Sequence, residues 1–407
     1  MTDIVIIGGG AAGLAAAVTA AREAPGATVT VLERDARVGK KLLVTGNGRC
    51  NLTNRSGLQG RYAGDEAFAR AAFARFGVDD TLALMEELGV NCVTLEEGKV
   101  YPRSLHAGSV ADQLRLAAQE AGAALVTDQT VTRLAPDQGG WQITTQTETL
   151  QARRVLVATG GKAGVGRYSG PTGYDLLQAL GHTVTPLFPA IVQLTTETAP
   201  IKALTGIKTQ GVVTLRTLTG TRREAGEILF TEYGLSGPPV LQVSRLLGPG
   251  GTGRATLDLL PDLTEEAVAA EIDRRRNVFG KRPCEDLLLG FMNKRLGQTV
   301  IKRAGIEKLS RPAGTLTGAE TAAIARTAKG FELAATGTRG FGAAQVTAGG
   351  VNTEDFDPAT MESKRAPGVY AAGEVLNVTG DCGGFNLQWA WTSGVLAGRA
   401  MARGLTT

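Results

Sequence analysis

The run Gly8-Gly9-Gly10-Ala11-Ala12-Gly13 fits the pattern G-x-G-x-x-G, and Glu33 stands twenty positions after its last glycine. In a chain with 55 glycines among 407 residues the pattern alone is weak, but its setting is specific. It follows an apolar stretch at residues 4–7 and opens an alanine-rich segment at 11–24 that Pro25-Gly26 stops. A β-branched stretch, 28–32, then ends at Glu33. Strand, glycine turn, helix and a second strand ending in an acid are the parts of a dinucleotide site. Gly8 permits the tight turn, Gly10 lets backbone N–H groups approach a pyrophosphate, and Gly13 lets the helix close on the strand. The phosphates then meet the positive end of a helix, while Glu33 accepts from the ribose hydroxyls.

Further segments suit a cofactor longer than a nicotinamide dinucleotide. Residues 39–54 form a Gly/Asn/Lys/Arg loop after the ribose-binding strand, able to run along an extended ligand. Val155-Leu156-Val157-Ala158-Thr159-Gly160-Gly161 is an apolar strand whose end, Thr159, Gly160 and Gly161, is expected beside the dinucleotide. Gly373-Glu374 ends another strand with an acid placed to bind a ribityl hydroxyl. Gly384-Phe385-Asn386-Leu387 opens the last helix, and its amides would face the flavin edge where negative charge develops on reduction. Together they point to FAD. With no second strand–glycine–helix fingerprint, NADH or NADPH would act only as a transient electron donor.

These stretches resemble a bacterial FAD-dependent flavoprotein family that includes aminoacetone oxidase and a bile-acid 3-oxo-Δ4 reductase. The matching segments are 8–13, 39–54, 158–161, 170–173, 230–238 and 346–398, the last holding Asn386-Leu387-Gln388-Trp389-Ala390-Trp391. The resemblance implies an α/β fold: a Rossmann-like FAD-binding domain with an inserted β-barrel-like and helical domain. It implies that Gly8, Gly10, Ala11, Ala12 and Gly13 hold pyrophosphate, that Glu33 and Arg34 hold the adenosine ribose, and that Val131 offers backbone to adenine. Lys41, Thr45, Gly46, Arg49, Cys50 and Asn51 would follow the ribityl chain and flavin. Gly373, Glu374, Gly384, Phe385, Asn386 and Leu387 would close the ring side. The implied activity is hydride transfer at flavin N5 with a small-molecule substrate, as an amine or aminoketone oxidase or an NAD(P)H-dependent enone reductase. The chain departs from the pattern at Asn377 and Thr379, where acids are frequent, at His106, where lysine is common, and at Phe385, which replaces tyrosine.

The elements that must position these residues are expected in two domains: residues 1–187 with 344–407 for FAD, and an inserted 188–343. Helices are expected at 65–89, 107–121, 264–278, 285–304 and 384–403, and a hairpin turn at Asp137-Gln138-Gly139-Gly140. Trp389 and Trp391 cannot share a helix face, so one is expected in the core and the other at a wall. His182 is expected to be structural, and no residue emerges as catalytic acid or base.

A net charge of +4 is too thin and scattered for the clustered basic face of a nucleic-acid binder. The densest runs, Arg222-Arg223 and Arg274-Arg275-Arg276, read as solvated faces. They also motivate the alternative of a flavin-dependent RNA-modifying or RNA-binding protein; a non-catalytic FAD-binding protein is the other. Four irregularly spaced cysteines without a C-x-x-C pair indicate a reduced, cytoplasmic protein, and no metal site is expected. With Asp3 and three consecutive glycines near its start, no signal peptide is expected, and no apolar run approaches the roughly 18 residues of a membrane span.

Overall fold

The apolar start of the chain forms β1 (Thr2–Ile7), whose last four residues are buried. A strand without a wet face belongs inside a parallel sheet covered by helices. In the computed structural model, which describes residues 1–164 and 170–405, β1 lies parallel between β2 (Val29–Leu32) and the strand Thr149–Val157. Ala124–Val126 continues the sheet beyond β2. On its other side Thr149–Val157 pairs first antiparallel with Gly140–Thr145, then parallel with Val369–Ala371. Gly140–Thr145 is hairpinned to Val131–Asp137, and the resulting seven-stranded sheet takes strands from both ends of the chain.

Helix α1 (Ala11–Glu23) packs against the final helix, Phe385–Arg403. Small residues set that spacing: a Cβ on Gly394 would stand 2.3 Å from the Ala12 carbonyl oxygen, and one on Gly398 2.6 Å from that of Ala16. The final helix is enclosed on several sides. Trp389 and Trp391 are therefore both core residues, contrary to the expected division between core and wall. Their indole N–H groups donate to the carbonyls of Gly373 and Leu52, each at 3.0 Å.

The chain's contacts divide it into Met1–Leu187 with Val346–Thr407, and Phe188–Gln345. The second unit holds a closed barrel of six strands, in the order Leu194–Thr196, Gly234–Ser236, Gly220–Thr231, Lys208–Thr217, Gly253–Asp258 and Phe331–Thr338. Its helices include Glu265–Val278, Lys294–Arg303 and Gly318–Lys329.

Two expected helices differ. Residues 65–89 form two, Glu66–Phe73 and Val78–Glu87, because Gly77 at extended φ/ψ interrupts them. Residues 285–304 form only Lys294–Arg303, since Gly290 adopts φ +74 and the Asn293 side chain caps a new start by accepting from the N–H groups of Arg295 and Leu296. Four of the five arginines in the basic runs are paired within their own elements. Arg274 and Arg275 lie 2.7 and 2.6 Å from Glu271, Arg276 3.5 Å from Asp273, and Arg222 2.9 Å from Glu224.

Candidate dinucleotide site

Gly8 leaves β1 at φ +108, its N–H donating to the Leu32 carbonyl at 2.8 Å. A Cβ there would lie 2.5 Å from the Ala158 carbonyl oxygen, so only glycine lets the two strand ends pass. A Cβ on Gly13 would come within 1.9 Å of the Gly8 carbonyl oxygen, which is the close helix–strand contact. Gly10 differs from both. Its φ is −82°, and a Cβ there would meet no atom within 4 Å. It N-caps α1 without a side-chain hydrogen bond, and no acid occupies the first turn. The N–H groups of Ala11, Ala12 and Gly13 therefore form an uncapped positive helix end beside open space.

Glu33 is turned toward that loop. Its Oε2 accepts from the Gly9 N–H at 2.8 Å and its Oε1 from the Asp35 N–H at 2.9 Å, leaving lone pairs for further donors. Arg34 follows, half-buried. The Gln129 N–H donates to the Glu33 carbonyl at 2.9 Å, bringing the segment that leads into the buried Val131 alongside.

A second junction forms around Glu374. Its carboxylate accepts from Lys41 Nζ at 2.7 Å, from the Thr347 N–H at 2.6 Å and from the Gly161 N–H at 3.3 Å. Gly160 beside it adopts φ +70, and the Thr159 hydroxyl is buried without a hydrogen-bond partner. Gly373 donates to the Ser393 hydroxyl at 2.9 Å, and a Cβ on it would stand 3.1 Å from Ala12 Cβ, placing this strand end against the start of α1. Thr347 was not singled out by sequence reasoning. Its hydroxyl accepts from the N–H groups of Lys162 and Ala163 at 2.8 and 3.0 Å, but a threonine in a short apolar strand carries no signal of its own.

The third group gathers at the start of the final helix. The loop after Gly39 runs through a 3-10 turn, Lys40–Gly48, where Thr45 donates to the Leu42 carbonyl at 2.6 Å. A Cβ on Gly46 would lie 2.7 Å from the Asn51 nitrogen, so the loop closes on itself there. The Arg49 guanidinium sits 4.9 Å over the Tyr101 ring. Asn51 is buried with its Oδ1 lacking a donor, and that oxygen would lie 2.8 Å from a Cβ on Gly384. Gly384 N-caps the final helix at φ +100 without a side-chain hydrogen bond or a first-turn acid. The Phe385 ring is buried and its carbonyl accepts from the Tyr62 hydroxyl at 2.9 Å; Leu387 is partly buried. The Asn386 side chain is committed to Gly380, donating to its carbonyl and accepting from its N–H, both at 2.9 Å. At this helix start the backbone amides are thus what a ligand could use.

Burial pushes the Cys50 thiol up to about 12 and raises that of Cys382, which removes a reactive thiolate at neutral pH. His106 is an exposed N-cap residue. His182 is buried, stacked 4.6 Å from Phe356 with Nε2 2.9 Å from the Ser363 hydroxyl; that hydroxyl also accepts from the Ala366 N–H at 2.9 Å, which makes the pair part of a core turn. In the second unit, the Arg339 guanidinium lies 4.3 Å over the Tyr233 ring.

Two uncapped helix starts, open space at Gly10 and two buried polar atoms awaiting partners fit a long anionic dinucleotide with a ring system at one end. The chain matches the HI0933-like protein Rossmann domain family over residues 2–400 and belongs to that family. It is 38% identical over 410 residues to the 3-dehydro-bile acid delta(4,6)-reductase of Clostridium scindens, covering 99% of both chains. It is 30% identical to the ribosomal RNA dihydrouridine synthases of Escherichia coli, over 96% of both chains, and of Haemophilus influenzae, over 99% of both. The chain is an FAD-dependent oxidoreductase. Among the described residues, no helix is long and apolar enough to cross a membrane.

Proposed function

We propose that this enzyme reduces a carbon–carbon double bond conjugated to a carbonyl group in a small molecule. The observation that carries this reading is the 38% identity, along the whole chain, to a reductase named for the 4,6-unsaturation of a 3-dehydro-bile acid. The dihydrouridine synthases, by name, also add two hydrogens to an unsaturated carbonyl compound. Reduction is therefore favoured over amine or aminoketone oxidation, and catalysis over mere FAD binding.

When bound, FAD supplies hydride chemistry at N5. Gly8, Gly10, Ala11, Ala12 and Gly13 hold its pyrophosphate, Glu33 and Arg34 the adenosine ribose, and Val131 the adenine through backbone. Lys41, Thr45, Gly46, Arg49, Cys50 and Asn51 line the ribityl and ring portion, with Thr159, Gly160, Gly161, Gly373 and Glu374 beside it. The amides of Gly384, Phe385, Asn386 and Leu387 stabilise negative charge at the ring edge. Lys41 and Glu374 fix one another, so the loop that carries Lys41 is tied to the strand end at Gly373. NADH or NADPH serves as transient donor. Its four free cysteines suit a reducing cytoplasm.

A second reading, favoured by the two dihydrouridine synthase relatives, is that the reduced bond belongs to uracil in RNA.

Anaerobic mixing with NADH or NADPH should bleach the visible flavin absorbance, and a panel of cyclic enones and dienones should restore it without oxygen. Bleaching by amines instead of nicotinamides, or recovery with oxygen alone, would replace the reductase reading with an oxidase.

A further inference from the structure

Away from the dinucleotide site, the first unit carries an open trough of about 910 Å³ whose lining includes Arg75, Arg153, Arg154, Arg399 and Arg403 against a single carboxylate, Glu362. These arginines come from three places: the turn between the helices Glu66–Phe73 and Val78–Glu87, the middle of the Thr149–Val157 strand, and the last turns of the final helix. Among the described residues, Asp3 lies 3.5 Å from Arg153, Glu362 3.8 Å from Arg154, and Glu23 3.1 and 3.6 Å from Arg399 and Arg403. Arg154 is held in place, donating to the Gly404 carbonyl at 2.6 Å and to the Tyr370 hydroxyl at 3.3 Å. Arg75 and Arg403 project as exposed or largely exposed side chains.

The chemistry of the lining selects a ligand class. Every cation in it is arginine, whose planar fork matches phosphate oxygens in a way a lysine ammonium does not. Its large apolar residues, Trp141, Tyr370 and Leu396, are buried, so the trough offers no aromatic or aliphatic anchor of the kind that carries protein–protein affinity. Its position also matters. Arg399 lies fourteen residues beyond Phe385 on one helix, about 21 Å along its axis at about 1.5 Å per residue. A small substrate reacting at the start of that helix cannot reach it, whereas a chain of linked phosphates can.

We propose that this trough docks the sugar–phosphate backbone of RNA. The inference rests on the second reading above: phosphates distant from the target uracil in the same strand settle on the arginines.

The test uses the full-length holoenzyme and a fluorescein-labelled, uridine-rich RNA hairpin, followed by polarisation between about 50 and 200 mM salt. Wild type is expected to bind with a steep salt dependence. The R75Q/R399Q/R403Q variant removes three phosphate contacts; at about 0.7 per contact the log–log salt slope should fall by about 2, weakening binding about 100-fold at 0.1 M salt. K202Q/K302Q/K308Q makes the same charge change on exposed residues of the second unit and should leave both quantities unaltered. Absent RNA binding at the lowest salt, equal losses in the two triple variants, or displacement of RNA by polyglutamate as readily as by unlabelled RNA overturns the inference. Flavin recovery with enones is read on the same preparations. Wild type that recovers with enones but binds no RNA sinks this inference alone, and wild type that binds RNA with salt dependence but does not recover with enones sinks only the small-molecule reading.

Discussion

At Gly10 an added methyl group meets no protein atom within 4 Å, and the residue's φ of −82° suits alanine. Gly10→Ala should therefore leave the apoprotein close to wild type. The stiffer unfolded chain stabilises by about 0.4–1 kcal/mol, and alanine as the poorer N-cap costs about as much. Bound cofactor tells a different story, because the methyl occupies the space through which the α1 amides would reach a pyrophosphate. Losing two charge-assisted hydrogen bonds at about 1.5 kcal/mol each amounts to about 3 kcal/mol, or about 100-fold in FAD affinity. Gly13→Ala has the opposite profile. Its methyl would fall 1.9 Å from the Gly8 carbonyl oxygen, where only movement of α1 makes room. Overpacking of this kind costs about 1–3 kcal/mol, which lowers the apoprotein melting temperature by about 1–4 °C in a protein of this size. Thermal melts of both apoproteins, beside FAD titrations followed by flavin fluorescence, separate the two effects. Wild-type FAD affinity in Gly10→Ala would refute the placement of the pyrophosphate, and equal melting shifts in the two variants would refute the division of labour between the glycines.

Other consequences can be checked with equal directness. Because burial holds the Cys50 thiol near 12, Cys50 should resist alkylation until the protein unfolds, and Cys50→Ser should keep FAD and turnover; loss of turnover with FAD retained would show a thiol in the chemistry. Burial lowers the His182 value from about 6.5, with Asp355 opposing and Arg365 adding to the shift. The unfolded chain thus takes up that proton first, so this contribution to stability is present above about pH 6.5 and is lost as pH falls toward the depressed folded value. Denaturant midpoints between about pH 5 and 8 should fall less steeply in His182→Phe than in wild type, and parallel profiles would contradict this. Gln388 donates to Thr81 and Thr392 at 2.8 and 3.0 Å and accepts from Thr53, all in the core. Gln388→Leu should cost about 3 kcal/mol by stranding these hydroxyls, read as a lower urea midpoint; an unchanged midpoint would mean the network is dispensable.

What was legible in the sequence was local. The strand, glycine turn, helix and acid of residues 2–33 occupy thirty-odd consecutive positions, and each signal there reinforces its neighbour. The same holds for the hairpin at Asp137-Gln138-Gly139-Gly140 and for the glycine that opens the final helix. The helix Gly318–Lys329 was missed although Thr317 and Glu320 carry the capping-box spacing that could have found it. Residues 285–304 misled because Leu287 and Leu288 keep an apolar pattern running into Gly290, where the backbone turns left-handed. The Trp389/Trp391 argument failed for a different reason: a face-counting rule presumes one wet side, and this helix is wrapped over that stretch. Least legible were groupings made by the fold alone. Lys41 and Glu374 could each be named, but nothing local pairs residues 333 positions apart, and of the arginines at 75, 153, 154, 399 and 403 only two are adjacent in sequence.

The final helix shows why those distant groupings belong together. Its first turn leaves amides uncapped beside Asn51, its middle locks Gly373 through Trp389 and Ser393, and its last turns carry Arg399 and Arg403. Gly394 and Gly398 press this helix onto α1, whose own start is the proposed pyrophosphate seat. Helix backbones in such close contact have little freedom to slide, because each glycine sits against a carbonyl oxygen that any larger residue would strike. A change that tilts the final helix must then disturb both uncapped helix starts and the arginine trough at once. Gly394→Ala, whose Cβ would lie 2.3 Å from the Ala12 carbonyl oxygen, is accordingly expected to weaken FAD binding from a position that no cofactor atom needs to touch. If it leaves the FAD affinity of the folded protein unaltered, the two helices are not coupled as their packing implies.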